Sequence, residues 1–475
     1  MDKRHSQRAG TTIVTTDTLF VILLKVTAFV NRNKMLASVR KSATSAEACG
    51  KVVSLQGETH KLARCHKPQG AKLEERERPM GSREPQLVIM TGRSGACVVI
   101  DSIVNHTSSG GVRITEDISL SEVKTLAREM TLKCSFFGLP RGGAKSGIRV
   151  PTDTAAEERK GILEDFGRSI APIVRAGIYY PGVDMGCSTE ELRTIYGGTG
   201  VNLGKLVDTS YFTALSVADA IRAWRESAKP DRNPLDVAIE GFGRVASHLV
   251  ERLPENDYRI IAVSTVKGAV INENGFAVKT LLAHRKEFGD DLVRKIPDAR
   301  PIQKEEVLTA EVDVLIPSAR ACTINQDNAG RIRAHVIAPI ANAPCTETAI
   351  GILHEKGIVC LPGFVTNSGG VYASSLFENG VRLREIEKIS ATHYRAAVMS
   401  LLRKSAELKL SPVGLAKMVA TKRFKTRKDY SDTLYSKMTR AGLSKVPLLK
   451  TFCDSFKARN IIDSLRELSA EIESY

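Results

Sequence analysis

Two lysines, one aspartate and one glycine turn are the residues of this chain whose types and spacing could do chemistry. Lys145 lies in LPRGGAKSG (139–147), between Gly143 and Gly147, where small neighbours let a substrate approach the amine. Lys133 stands twelve residues earlier, at the end of a helical pattern. Two nearby ammonium groups depress each other's pKa, and a lysine brought toward ~7–8 is a competent general base. A lysine without such a setting is ordinarily a solvated surface residue, so the glycines carry the reading. Asp184 lies in YYPGVDMGC (179–187), between prolyl and glycyl turns. It could carry a proton or simply be a turn aspartate.

The turn is Gly241-Phe242-Gly243-Arg244-Val245-Ala246, which matches GxGxxG/A. Its context supports a dinucleotide, because it follows a continuous apolar strand and opens a helix. Gly241 permits the tight turn, Gly243 lets the backbone approach a pyrophosphate, and the helix N-terminus favours the anion. About 20 residues on, such turns pair with an acidic residue for the ribose. Here RIIAVS (259–264) runs into Thr265 and Lys267 instead. A hydroxyl with a nearby cation tolerates a 2′-phosphate, so NAD or NADP is expected, with NADP ahead. GGTGVNLGK (197–205) only mimics a P-loop, since its spacing is wrong and Leu206 stands where Ser or Thr must hold magnesium.

The elements that must position these groups read as an α/β protein. QLVIM (86–90) and ACVVIDSIV (96–104) have strand composition, with the turn residues GRSG between them. Val123, Leu126, Ala127 and Met130 recur at helical spacing and predict a helix over 120–133. A short strand SFFGL (135–139), a glycine-rich loop RGGAKSG (141–147) and a helix over 155–170, ending before Pro172, follow. A second module opens with a helix over 213–227. LDVAIEGFGRVASHLVERL (235–253) then gives strand, turn and helix, and RIIAVS, VDVLIP (312–317), HVIAPI (335–340) and GIVCLP (357–362) are further buried strands. Strands alternating with helices imply a parallel, doubly wound sheet. The division is an atypical extension over 1–85, an α/β substrate-binding and oligomerisation domain over 86–212, a Rossmann-type domain over 213–372, and a helical segment over 373–475 that packs back on the first domain. The extension is expected to be disordered, because Pro, Gly and charges dominate 67–85 without periodicity.

Composition excludes several classes. Of the 475 residues 42% are hydrophobic and 26% charged, as in ordinary globular proteins. The nine cysteines form no CxxC pair or Cys/His cluster, which argues against a metal site and for a reducing compartment. The net charge of +16 is concentrated at the ends, +9 over residues 1–100 and +8 over 401–475, leaving −1 between them. Lys422, Arg423, Lys425, Arg427 and Lys428 form a solvated face more readily than a nucleic-acid site, and no nucleic-acid motif accompanies them. No apolar run suffices for a membrane span. Residues 18–30 resemble a signal-peptide core, but Lys25 interrupts them. The Arg/Ser/Thr-rich stretch to about 46 loosely fits a mitochondrial presequence. A cytoplasmic location is expected, with the mitochondrial matrix as the alternative.

In combination and in order, these segments resemble the glutamate/leucine/phenylalanine/valine dehydrogenase family. MTLKCSFFGLPRGGAKSGI (130–148) is similar to the family's two-lysine segment, and PGVDMG (181–186) to its catalytic-aspartate segment. IEGFGRVA (239–246) is similar to its cofactor turn, and IANAP (340–344) and TNSGGVYASS (366–375) to its nicotinamide- and substrate-side loops. The likeness spans about 86 to 380. It implies that Lys145 activates water, Asp184 shuttles the amino-group proton, and Lys133 pairs with the substrate α-carboxylate. Gly110 and Gly111 line the substrate site, Asn367 keeps substrate and nicotinamide in register, and Asn342 and Thr213 contact the cofactor. The partners implied are an amino acid or its 2-oxo acid, ammonia, and further copies of the chain in a homo-oligomer.

Three departures bear on the substrate and the cofactor fit. Glutamate-specific members carry a lysine before the Gly-Gly pair, where this chain has Ser109. Arg141 occupies a position that is usually apolar and could supply the missing cation, and Ser374 could help hold a distal carboxylate. Pro339-Ile340 replaces an acidic-glycine pair. Glutamate is therefore expected as substrate, on condition that Arg141 faces the cleft, with a branched-chain or other apolar amino acid as the alternative. A non-catalytic dinucleotide-binding homologue is a second alternative. A hydroxy-acid dehydrogenase is a third, disfavoured because His106 and His335 read as structural residues in strand-like segments.

Overall fold

Thirteen strands in two sheets arrange the described residues, which in this computed structural model are Ile13–Val14, 85–91, 95–426 and 447–475. The rest of the 1–85 extension, with its signal- and presequence-like stretches, most of the GRSG turn, and Arg427 and Lys428 of the basic run lie outside the described residues.

The first sheet contains β1 (Ile13–Val14), β2 (Leu87–Met90), β3 (Cys97–Ile100), β4 (Ser108–Thr115), β5 (Gly142–Arg149) and β6 (Tyr179–Val183), in the order β1-β2-β3-β5-β4-β6. β4 lies parallel to both β5 and β6, and β5 runs antiparallel to β3. Side chains alternate across a strand, so β4 and β5 divide their residues between two faces. Val112, Ile114, Ala144 and Ile148 enter the core with Leu163, Phe166 and Ile170 of the helix Ala156–Arg175. The opposite face carries Ser109, Arg113 and Lys145, and the helix Leu120–Phe136 lies against it.

Glycines make that approach possible. A Cβ on Gly143 would sit 2.1 Å from the Thr131 nitrogen, and one on Gly147 would sit 2.6 Å from Cγ2 of Val123. Both contacts are with the helix that carries Lys133, so bare backbone at 143 and 147 lets that helix lie directly on the Lys145 strand. RGGAKSG is accordingly a strand and not a loop. SFFGL is not a strand, because the helix runs on to Phe136 and then turns. Pro172 does not end its helix, which continues to Arg175. The buried Ile173 and Val174 offset the single backbone hydrogen bond that proline removes.

The second sheet has the order β10-β9-β8-β7-β11-β12-β13. Its parallel members are β7 (Leu235–Glu240), β8 (Tyr258–Thr265), β11 (Val314–Pro317), β12 (Val336–Ile337) and β13 (Val359–Cys360). β9 (Gly268–Phe276) and β10 (Arg300–Ile302) add an antiparallel edge that the apolar-run pattern did not reveal. The chain order reverses at β7, and ligands of open α/β sheets bind in the crevice at such a switch point. The helices Arg395–Glu407, Pro412–Thr426 and Pro447–Glu473 follow. Pro412–Thr426 returns to the first sheet's helix, where Arg423 Nη1 donates to the Phe136 carbonyl at 2.8 Å. Among the described residues no helix is long and apolar enough to cross a membrane, and no group of three His, Cys, Asp or Glu could hold a metal ion.

Candidate active site

A cleft of about 1800 Å³ opens between the two sheets. It is lined by Ser109, Gly110, Gly111, Lys133, Arg141, Lys145 and Asp184 from the first unit, and by Thr213, Gly243, Arg244, Val245, Asn342, Asn367 and Ser374 from the second. Residues far apart in sequence thus share one space.

Its centre is a chain of charges. Lys145 Nζ lies 3.0 Å from Oδ1 of Asp184. Arg113 Nε donates to Oδ2 of the same carboxylate at 2.8 Å, and Arg113 Nη1 donates to Oε1 of Glu122 at 2.8 Å. Strand register produces this grouping. Arg113 is opposite Gly147 on β5, Val112 is opposite Val183 on β6, and Asp184 follows at the end of that strand. Continuing the β4–β5 register puts Gly111 opposite Lys145. A Cβ at 111 would stand 2.7 Å from the Asp184 Cβ, so only glycine leaves the aspartate its place.

Burial opposes the charge on Asp184, yet Arg113 and Lys145 together hold its carboxyl below the usual carboxylate range. Burial also pushes the Lys145 amine down; Asp184 works against that shift and Arg113 adds to it. Lys133 is 4% exposed. Burial, with the Lys145 charge behind it, lowers its pKa to about 8. Its Nζ donates across the junction to the Asn367 carbonyl at 3.2 Å.

Asn367 is fixed by the segment 340–342. Its Nδ2 donates to the Ile340 and Ala341 carbonyls at 3.0 and 3.1 Å and to Asn342 Oδ1 at 3.4 Å. Its Oδ1 is buried without a protein partner, as an acceptor reserved for a ligand donor would be. Thr213 is in the helix Thr209–Ala228, beside the Gly369–Glu378 helix that carries Ser374. Ser374 Oγ donates to the Gly370 carbonyl at 2.7 Å, which leaves its lone pairs for the cleft.

At the glycine turn Gly241 has φ +90°, the left-handed conformation glycine tolerates best. Gly243 has open space where a Cβ would be. The following helix is shorter than the sequence suggests, Arg244–Val250. Three expected cofactor residues stand back from the cleft lining. Gly241 shapes the turn, Phe242 is buried in the core with its amide bonded to the Ser264 carbonyl at 2.6 Å, and Thr265 is engaged elsewhere. Thr265 Oγ1 donates to the Asp290 carbonyl at 2.7 Å and accepts from the Lys267 amide at 3.1 Å. Arg244 Nε donates to Ser210 Oγ at 2.8 Å.

Three residues of the site escaped the sequence reading: Arg113, Glu122 and Glu378, the last bonded to Arg141 at 2.8 Å. The signal for Arg113 was a charge inside the apolar end of SSGGVRIT, one residue beyond the Gly-Gly pair and its valine. Glu122 doubles as the third residue of a helix whose Ser119 cap accepts its amide, a role that hid the other. The two histidines are not in strands. His106 lies in a turn at φ +65° on the cleft lining, and His335 precedes β12 and faces Asp313 at 3.1 Å.

Comparison with known proteins agrees with this geometry. Residues 94–200 match the model of the Glu/Leu/Phe/Val dehydrogenase dimerisation domain, and residues 204–406 match that of glutamate/leucine/phenylalanine/valine dehydrogenase. The fold is similar to the hetero-hexameric glutamate dehydrogenase of Thermus thermophilus in its leucine-bound form. The two are 22% identical over 70% of this chain and 84% of that one, with a TM-score of 0.61. It is similar to another glutamate dehydrogenase at 20% identity over 76% and 89%, with a TM-score of 0.62. The L-tryptophan dehydrogenase of Nostoc punctiforme is 21% identical over 74% and 98%, with a TM-score of 0.52. With both domain models matched in order around a cleft holding two lysines and an aspartate, this chain belongs to the glutamate/leucine/phenylalanine/valine dehydrogenase family, whose members are amino-acid dehydrogenases.

Proposed function

We propose that the protein catalyses the NAD(P)-dependent oxidative deamination of an L-amino acid to its 2-oxo acid and ammonia, and the reverse reductive amination. The observation that carries this reading is the buried Lys145–Asp184 pair at 3.0 Å, with Lys133 at the same cleft. The residues fit a dinucleotide on two counts: the open approach at Gly243 and the unpartnered Oδ1 of Asn367. Gly243, Arg244, Val245, Thr213 and Asn342, all on the cleft lining, would hold it. When bound, it supplies the redox chemistry by accepting a hydride from the substrate Cα.

Lys133 holds the α-carboxylate and so fixes the Cα. Asp184, held ionised by the Arg113 guanidinium, takes the proton of the substrate ammonium. Lys145, whose burial favours its neutral form, takes a proton from the water that attacks the resulting imine carbon. Asp184 then gives its proton to the nitrogen, and as the C–N bond breaks and ammonia leaves, it takes the hydroxyl proton, which leaves the 2-oxo acid; Lys145 passes its own proton to solvent. The dimerisation-domain match supports assembly with further copies of the chain. Measuring NADH and NADPH oxidation with ammonia across a panel of 2-oxo acids tests the reading; no turnover with any of them would reject it.

On the side chain, Arg141 lines the cleft with Ser374, as the glutamate reading requires. The alternative, an uncharged side chain, is favoured by one observation: the Arg141 guanidinium is already bonded to Glu378.

A further inference from the structure

Beyond the reacting groups, the cleft wall carries a charge pair that takes no part in the proton chemistry. Arg141 immediately precedes β5, the strand of Lys145, and its Nη2 donates to Oε2 of Glu378 at 2.8 Å. Glu378 ends the helix Gly369–Glu378, where Gly370, Ser374 and Glu378 recur every fourth residue and so share one face. All three line the cleft. At a rise of about 1.5 Å per residue, Ser374 and Glu378 stand roughly 6 and 12 Å along the axis from Gly370. The face therefore leads away from Asn367, with Glu378 at its far end. The Arg141 side chain is 16% exposed and that of Glu378 48%, so the cation is sunk in the wall and the carboxylate stands on its solvent side.

We infer that Glu378 sets the side-chain charge this enzyme accepts: by neutralising Arg141 it turns the cleft against acidic side chains and leaves it to amino acids with uncharged ones. A substrate carboxylate entering there must shed water, which is unfavourable unless a cation replaces it. The cation assigned to that task is already paired. A second carboxylate would also share the guanidinium with Glu378 and feel its like charge. Without the Glu378 charge, the same guanidinium becomes a two-pronged carboxylate receptor.

The inference rests on the dehydrogenase reading and is tested with kcat/KM for reductive amination of 2-oxoglutarate and 2-oxoisocaproate. The proteins compared are the wild type, Glu378→Gln, Arg141→Leu and the double variant. The ratio of the two substrates is indifferent to the fraction of enzyme that folds. The wild type should favour 2-oxoisocaproate. Glu378→Gln should raise the ratio in favour of 2-oxoglutarate about tenfold or more, near 1.4 kcal/mol, mainly by tightening binding of the acidic substrate and not by speeding its turnover. Adding Arg141→Leu should erase that gain. A wild type that prefers 2-oxoglutarate, an unchanged ratio in Glu378→Gln, or a gain that survives in the double variant would each overturn the inference while leaving the dehydrogenase reading intact. Absence of turnover on any 2-oxo acid would bring down both.

Discussion

Lys133 Nζ donates to the main-chain carbonyl of Asn367 at 3.2 Å, so a side chain from the first sheet's helix is held by the turn that caps the short helix Gly363–Thr366 after the last strand of the second. The bond stations a cation at the junction of the two units, the position proposed above for the substrate α-carboxylate. Burial and the neighbouring Lys145 bring the pKa of this lysine to about 8. Only the protonated amine attracts a carboxylate. The KM for the oxo-acid substrate should therefore stay level below pH 8 and rise above it, by up to about tenfold per unit for one proton. Steady-state KM values between about pH 6.5 and 9.5 check this, and a level KM throughout would remove Lys133 from substrate binding.

Arg113 joins Asp184 to Glu122, and its loss should be felt in two ways. Arg113→Gln leaves the Asp184 carboxylate buried with Lys145 as its remaining cation, so its pKa should climb. The acid limb of the pH–rate profile should then move to higher pH. In the wild type the depressed pKa contributes stability above the unfolded value, lost as pH falls through the folded one. In the variant that loss should begin at higher pH. Breaking a buried pair typically costs about 3–5 kcal/mol, which denaturant titration would detect. An unmoved acid limb would make Arg113 a packing residue only.

Gly111→Ala should act on chemistry more than on cofactor binding. The added carbon would meet the Val183 carbonyl oxygen at 2.6 Å and the Asp184 Cβ at 2.7 Å, displacing the aspartate. A shift of about 1 Å in a reacting group can cost on the order of 10² in rate. A fall in kcat with dinucleotide affinity retained is the expected outcome; wild-type kcat would show that Asp184 needs no exact placement.

Cofactor choice turns on the absence of a carboxylate after β8. Thr265 is committed to its own turn through Asp290 and Lys267. The Lys267 side chain next to it is exposed. NADPH should be accepted at least as well as NADH, and Lys267→Glu should shift the preference toward NADH by about fivefold, the scale of an exposed charge interaction. The ratio of kcat/KM for the two cofactors measures it. A wild type that rejects NADPH would contradict the proposal.

The candidate residues that share the cleft were legible because their residue types and glycine settings are local. Lys145, Lys133 and Asp184 could each be picked out, and the switch-point strand before Gly241 announced itself by continuous apolar residues. What stayed hidden depends on tertiary contact. The glycines of RGGAKSG read as a loop because turns and close packing both select glycine, and only the overlying helix distinguishes the two uses. SSGGVRIT and GAVINENGF lack the β-branched density that marks a strand, so β4 and β9 escaped notice. A buried arginine is improbable until its two carboxylates are seen. Glu378 had no local signature at all, because its partner lies 237 residues away.

The most direct test of the central claim is the turnover of Lys145→Ala beside the wild type, followed as NAD(P)H oxidation with ammonia and the best 2-oxo acid of the panel, with dinucleotide binding measured on the same samples. A positioned general base contributes about 10²–10⁴ in rate. Turnover should fall by that factor while dinucleotide binding stays nearly unchanged, since this amine moves protons and does not hold the cofactor. A variant that keeps more than about a tenth of the wild-type rate would contradict the proposed role of the Lys145–Asp184 pair.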